Sequence, residues 1–302
     1  VSSPTPAAAP TPSARAGPPE PDLVRIRELI YRCAGIFHPD NKLALLDDRC
    51  KRRIKVLGAR SLKDYLACLT SSPVRQTELT ALLNEITIGE TCFFRNVAQL
   101  DVLRSTVFPA IVQAKLKSRI RCLRIWSAGC STGEEPYTLR MLLLEQTQRE
   151  LKDWSLTIFA TDLNERSLAQ AREGFFGQHS ARNLSPLYRS KYFVPHEVKL
   201  RVSAMARSNI VFRRLNLTDD AGMAQMKAMD LILCCNVLIY FDLESKRRVL
   251  RHFHDSLLPH GYLFLGNSES LYGVSDEFHL IHFAGCTGYM KSARPLTGSK
   301  CK

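Results

Sequence analysis

The sequence predicts an α/β protein, with a doubly wound parallel sheet that follows an all-helical N-terminal domain and carries a small β insertion. Three observations predict it. From about residue 120, short apolar runs of strand length alternate with helix-length stretches, the pattern of a parallel sheet covered by helices on both faces. The chain before that point carries apolar residues at helical spacing. A glycine-bearing turn, "SAGCSTGEEP" at 127–136, joins the first strand-like run to the helix after it.

Taken in order, residues 1–22 are rich in Pro, Ala and Ser and read as an extended, disordered arm. The arm has no basic segment followed by an apolar one, so it is not a secretory signal. Residues 23–88 form the helical domain. Leu23, Ile26, Leu29, Ile30 and Cys33 make a 3.6-residue stripe with Asp22 as its N-cap, and further helices follow at about 47–57, 61–69 and 74–85. Residues 89–119 are a linking segment and helix, and residues 120–295 hold the sheet. Its strands are expected at 122–128, 156–162, 210–217, 230–237 and 261–268, with helices at 135–151, 164–173 and 244–258. A hairpin at about 278–283 and 286–291 adds an antiparallel edge. The connection 175–209 exceeds a simple crossover, which places the insertion at about 185–210. Residues 296–302 are a tail.

Composition bounds the function. The 302 residues are 45% hydrophobic, enough for a sizeable core, and carry a formal net charge of +13. That excess favours an acidic partner. It is concentrated early: residues 23–66 hold eleven Lys/Arg against five Asp/Glu, including Arg49, Lys51, Arg52, Arg53 and Lys55. No run of 18 apolar residues occurs, so no membrane-spanning helix is expected. The ten cysteines are scattered without a CxxC pair, as in a cytoplasmic protein with reduced thiols. No metal site is expected, because no cysteine cluster has zinc spacing and His252 and His254 point to different faces of a helix.

In a doubly wound sheet, ligands bind beyond the C-terminal ends of the strands. Those ends carry Gly129 to Glu135, Asp162, Asn216 with Leu217, and Asn236 shortly before Tyr240. Asp162 suits a pair of ribose hydroxyls, although capping the following helix would use the same side chain. Asn216 suits an adenine edge or a loop cap. The turn "GCSTG" is neither GxGxxG nor a P-loop, and its acids discriminate further. Glu134 and Glu135 at the helix start would repel a pyrophosphate or triphosphate. They would welcome a nucleoside with a cationic amino-acid tail, which is S-adenosylmethionine.

"RIWSAGCSTGEEPYTL", "FATDLNERSLAQAREGFF" and "DLILCCNVLIYFD" resemble three signature blocks of the CheR family, the chemotaxis receptor methyltransferases, and "ITIGETCFFRN" at 86–96 resembles a fourth. The resemblance spans about residues 23–292, in the family's order. It implies a Rossmann-like class I S-adenosylmethionine-dependent methyltransferase sheet, with methyl transfer to glutamate side chains of chemoreceptors and S-adenosylhomocysteine as product. Carried over by position, it implies cofactor contacts at Thr91, Arg95, Glu135, Asp162, Asn216, Leu217, Cys235 and Asn236. Arg95 and Tyr240 fall nearest the transferred methyl as catalytic residues, and Glu134 ranks behind Glu135.

Three departures from the family pattern stand out. Gly89 replaces an Asn, Cys235 replaces an Arg, and the insertion lacks the glycine-bearing turn of members that grip a receptor's tail peptide. Tail-peptide docking is therefore not expected, and the basic helical domain is the expected contact with the receptor's helical region. A nucleic-acid methyltransferase is disfavoured because strand four ends "CCNVLIYF", without the Pro-Pro of an acceptor-base motif.

Overall fold

The computed structural model describes residues 19–87, 89–147, 151 and 153–292. Most of the Pro/Ala-rich arm and the tail lie outside the described residues. Four helices come first: α1 (Pro21–Ala34), α2 (Leu43–Leu57), α3 (Leu62–Ser71) and α4 (Arg75–Ile86). The expected cap of α1 is corrected. Glu20, not Asp22, is the N-cap, and its carboxylate accepts from Leu23 N at 2.7 Å while Pro21 occupies the first turn. Gly35 ends the helix at φ 68°, a left-handed conformation that glycine adopts without strain.

The chain then runs through α5 (Val97–Val102), a π turn (Leu103–Val107) and α6 (Phe108–Lys117) into the sheet. There follow β1 (Cys122–Ala128), α7 (Glu134–Thr147), β2 (Ser155–Asp162), α8 (Glu165–Glu173) and the short β3 (Phe175–Phe176). The insertion comprises α9 (Pro186–Tyr192), β4 (Phe193–His196), β5 (Lys199–Val202) and α10 (Ala204–Arg207). The chain closes with β6 (Ile210–Arg214), α11 (Asp220–Met223), β7 (Met229–Cys234), α12 (Leu243–Ser256), β8 (Leu257–Leu265), β9 (Phe278–Phe283) and β10 (Cys286–Lys291).

The main sheet has the order β6-β2-β1-β7-β8-β10-β9. Its first five strands are mutually parallel, and β10 and β9 form the expected antiparallel edge. The strand order reverses between β1 and β7, so the crevice for a ligand opens there. In a separate antiparallel sheet, β3-β5-β4, the insertion's β4 and β5 pair with each other and β5 pairs with β3, which lies before the expected bounds of the insertion.

Two large cores cover the two faces of the sheet, as the alternation of side chains along a strand requires. Ile125, Leu231 and Leu233 pack with Leu103, Phe108, Leu139 and Leu142 from α6, α7 and the π turn. Trp126, Ile232 and Cys234 face the other way, onto Val249, Leu250 and Phe253 of α12. That second core continues without a break into Ile26, Ile30, Leu46, Tyr65 and Leu82 of the helical domain. The helical domain is thereby held over the C-terminal ends of the strands.

Three strands end earlier than their apolar runs. β6 stops at Arg214, just before its last ladder bond to β2, from Leu215 N to the Asp162 carbonyl (3.0 Å). β7 stops at Cys234, before Asn236 takes φ 62°. β8 stops at Leu265, where Gly266 N leaves the ladder for the Glu269 carboxylate (2.8 Å).

Candidate active site

A cavity of about 300 Å³ lies over the strand ends, between the helical domain and the sheet. Thr91, Arg95, Glu135, Asp162, Asn216, Leu217, Cys235, Asn236 and Tyr240 all line it. Glu134 does not. Its side chain turns inward, is 1% exposed and accepts from the Thr132 hydroxyl at 2.6 Å. Of the two acids at the start of α7, one faces the ligand space and the other fastens the turn.

The glycine turn is built from backbone contacts. Gly129 N and Cys130 N both donate to the Thr161 carbonyl, at 2.8 and 2.9 Å. Ser131 N donates to Asp162 Oδ2 at 2.8 Å, and Asn164 N donates to Oδ1 of the same carboxylate at 2.8 Å. Asp162 therefore does not cap α8. Asn164 is that cap, accepting from Ser167 N, while Asp162 ties the end of β1 to the end of β2. Gly129 sits at φ 77°, and a Cβ there would lie 2.3 Å from Val237 Cγ2. A side chain is excluded on both counts. Gly89 has a similar use: a Cβ would meet Ser131 Oγ at 2.9 Å, the hydroxyl that donates to the Gly89 carbonyl at 3.1 Å.

Asn216 spends its side chain inside the protein. Its Nδ2 donates to the Cys33 carbonyl at 2.7 Å, and its Oδ1 accepts from Thr218 N and Thr218 Oγ1. The loop-cap role is what this geometry displays. The same amide joins the strand-end loop to α1 of the helical domain.

Arg95 is exposed, donates to the Glu90 carbonyl at 3.0 Å and has no ion-pair partner among the described residues. Tyr240 is half-buried, and burial raises its hydroxyl pKa while Arg95 opposes that rise. Burial likewise raises the carboxyl of Glu135, against the hydrogen bonds of the Ser127 hydroxyl (2.7 Å) and the Cys235 thiol and the charge of Arg95. Burial also raises Asp162, against the backbone N–H groups it accepts from. Two acids held in a poorly hydrated cavity gain from a cation placed beside them. The donor set therefore fits a nucleoside with a cationic tail and fits a polyphosphate badly.

Cys235, where an Arg was expected from the family pattern, sits 3.5 Å from Gln99 Oε1, and Gln99 Nε2 donates to the Leu265 carbonyl at 2.9 Å. Sequence reasoning missed Glu269. Its Oε2 accepts from Asn236 N (2.7 Å) and Gly266 N (2.8 Å), and its Oε1 from Ile239 N (3.2 Å). This carboxylate holds the bend after β7 that presents Asn236 and Tyr240. It stands in a loop with no local pattern around it, so no sequence signal marks it.

Among the described residues there is no cluster of metal-ligating side chains, and no helix is long and apolar enough to cross a membrane.

Residues 89–285 match the family described as CheR methyltransferase, SAM binding domain, and residues 21–87 match CheR methyltransferase, all-alpha domain. Chemotaxis protein methyltransferase 2 of Vibrio cholerae is 36% identical over 280 residues, covering 92% of this chain and 96% of that protein. The chemotaxis protein methyltransferase of Borreliella burgdorferi is 32% identical over 253 residues, 83% of this chain and 89% of that one. That of Escherichia coli is 33% identical over 260 residues, 85% and 86% respectively.

Proposed function

The chain belongs to the CheR methyltransferase family, and on that premise we propose that it is a cytoplasmic protein-glutamate O-methyltransferase acting on the helical region of chemoreceptors. The observation that carries the proposal is convergence. Residues drawn from four separated sequence blocks line one cavity, at the sheet's switch point and under the helical domain.

S-adenosylmethionine, when bound, supplies a methyl group made electrophilic by its sulfonium. Glu135 and Asp162 would hold its cationic tail and ribose, and the 215–217 loop would wall the adenine. The acceptor carboxylate has a reference pKa of about 4.3, so near neutral pH it is already a nucleophile and needs no general base. The protein's work is alignment and exclusion of water. Arg95, without an ion-pair partner among the described residues and close enough to Tyr240 to act on its hydroxyl, draws the acceptor carboxylate in with a guanidinium suited to it. The Tyr240 hydroxyl fixes the angle of approach.

The exposed part of α2 supplies the receptor contact, with Arg52 and Lys55 exposed and Arg49 half-buried. Arg53 leaves that patch. It is 8% exposed and donates through Nε and Nη2 to Glu78, at 2.9 and 2.7 Å. Docking of a tail peptide by strand addition has little support, because the edge strand β4 carries Pro195, which has no N–H to offer an added strand.

The test is transfer of labelled methyl from S-adenosylmethionine to receptor helical fragments, with duplex DNA as a parallel acceptor. Base-labile label on mapped glutamates is the expected result. Label on DNA, or none on receptor, overturns the proposal.

A further inference from the structure

The chain after α1 roofs the cavity, and it is fastened to two different parts of the wall. At its start the Cys33 carbonyl accepts from Asn216 Nδ2 at 2.7 Å, and a Cβ on Gly35 would lie 2.6 Å from Thr218 Cγ2. Farther on, Ile36 pairs with Phe241 in an antiparallel bridge, and Phe37 N donates to the Tyr240 carbonyl at 2.9 Å. The roof thus runs from the 215–217 loop to the bend that carries Tyr240. His38 follows at the Tyr240 end, and lines the cavity together with Lys42 and Leu45 around the start of α2.

His38 is 8% exposed, and its Nδ1 is buried without a hydrogen-bond partner among the described residues. Such groups are rare, because a polar atom that loses water and gains nothing costs free energy. One kept at the edge of a reaction cavity points to a partner that arrives with the reactants. Burial first, and then the charges of Lys42 and Arg27, hold the His38 pKa below the ordinary value, so near neutral pH the ring is uncharged and carries one N–H. We propose that His38 contacts the acceptor: its imidazole N–H donates to the carboxylate of the glutamate being methylated and sets it against the methyl group. The proposal rests on the reading of this cavity as the site of methyl transfer to receptor glutamates. Two placements favour the acceptor over the cofactor. His38 stands at the Tyr240 end of the roof rather than the Asn216 end, and it adjoins α2, whose exposed part is assigned to the receptor. A neutral donor also suits the chemistry. It binds one carboxylate oxygen without cancelling the charge, and the other oxygen stays free to attack. The oxygen–methyl bond forms as the sulfur–methyl bond breaks, the electron pair stays on sulfur, and no proton moves.

The test is methyl transfer from S-adenosylmethionine to receptor helical fragments by the full chain, for the wild type, His38→Leu and His38→Gln. Leucine fills the site without a donor, and glutamine returns one at its tip. In His38→Leu, kcat/KM for the receptor fragment is expected to fall roughly tenfold, the scale of one hydrogen bond to a charged group. His38→Gln should lie between that variant and the wild type. Calorimetry should give both variants the wild-type affinity for S-adenosylmethionine. The urea midpoint of His38→Leu should equal or exceed that of the wild type, because burying an unpartnered ring nitrogen stabilises nothing. An unchanged kcat/KM in His38→Leu, a loss of cofactor affinity that matches its loss of kcat/KM, or a His38→Gln no more active than His38→Leu overturns the acceptor contact alone. A wild type that methylates no receptor fragment overturns the reading of the cavity and the contact with it.

Discussion

Glu269 accepts three backbone N–H groups, from Asn236, Gly266 and Ile239, across a bend in which Asn236 holds φ 62°. Those donors turn away from any ladder, so each depends on this carboxylate to avoid being left without a partner. Glutamine keeps the shape but offers one acceptor oxygen, and its NH2 would face a donor. Glu269→Gln should therefore lose about 1–3 kcal/mol of stability, read as a shift in urea midpoint. It should also weaken S-adenosylmethionine binding, because Asn236 and Tyr240 ride on the same bend. An unchanged midpoint would show the three N–H groups finding other partners. Gly129 shows the same dependence of a local feature on distant neighbours, since Val237 lies where its Cβ would stand.

On the scale of an element, α2 divides its positive charges between two roles. Leu43, Leu46, Cys50 and Arg53 are its buried residues, and the spacing puts Arg53 on the apolar face. Glu78 of α4 meets it there with 3% exposure, and the Tyr65 hydroxyl adds a bond to Glu78 at 2.8 Å. Breaking a buried pair by removing one member is costly, so Arg53→Ala should destabilise the chain by about 3–5 kcal/mol. The double change Arg49→Glu with Lys55→Glu, which leaves the Arg52–Glu85 pair in place, should leave thermal stability close to wild type, since surface substitutions shift it by roughly 0.5 kcal/mol or less, and should depress receptor methylation at low salt. Equal loss of stability in both variants would remove the division. The stripe that turns Arg53 inward was legible in the sequence, yet the charge run around it read as one exposed cluster. Most strands were legible for a related reason. β1 and β7 lie in the middle of the sheet, covered on both faces, and are therefore predominantly apolar, with Arg124 and Asp230 as the charged exceptions. Their ends were not: after β7 and β8 the backbone N–H groups of Asn236 and Gly266 go to the Glu269 carboxylate, which for β7 stands 33 residues along the chain. The cavity-lining residues were legible through motif blocks and strand ends, whereas Glu269 acts through partners that only the fold brings near.

At the scale of the molecule, one core runs from Ile26 and Leu82 of the helical domain to Trp126 and Phe253 of the sheet. Polar contacts reinforce that seam. Tyr31 donates to Asp242 at 2.9 Å, Asn164 Nδ2 donates to the Asn84 carbonyl at 3.0 Å and to Thr87 Oγ1 at 2.8 Å, and Arg166 pairs with Glu85 at 2.6 Å. A chain with so continuous a core should unfold in one transition rather than domain by domain. Glu85 makes the seam sensitive to acid. Arg166 first, and then Arg52, hold its carboxyl below the ordinary value of 4.5. In the unfolded chain that depression is lost, so the unfolded state binds the proton first as pH falls. The contribution of Glu85 is therefore complete above about pH 4.5 and disappears as pH falls through its lowered folded value. Against Glu85→Gln, which does not titrate, the wild type should be more stable by on the order of 1 kcal/mol at pH 7. That advantage should begin to shrink near pH 4.5 and be lost as pH falls further through the lowered folded value, in urea denaturation carried out from pH 7 to pH 3. An advantage that persists at pH 3 would show that Glu85 acts through its shape and not its charge. Two separated transitions would place the seam's strength below that of either domain.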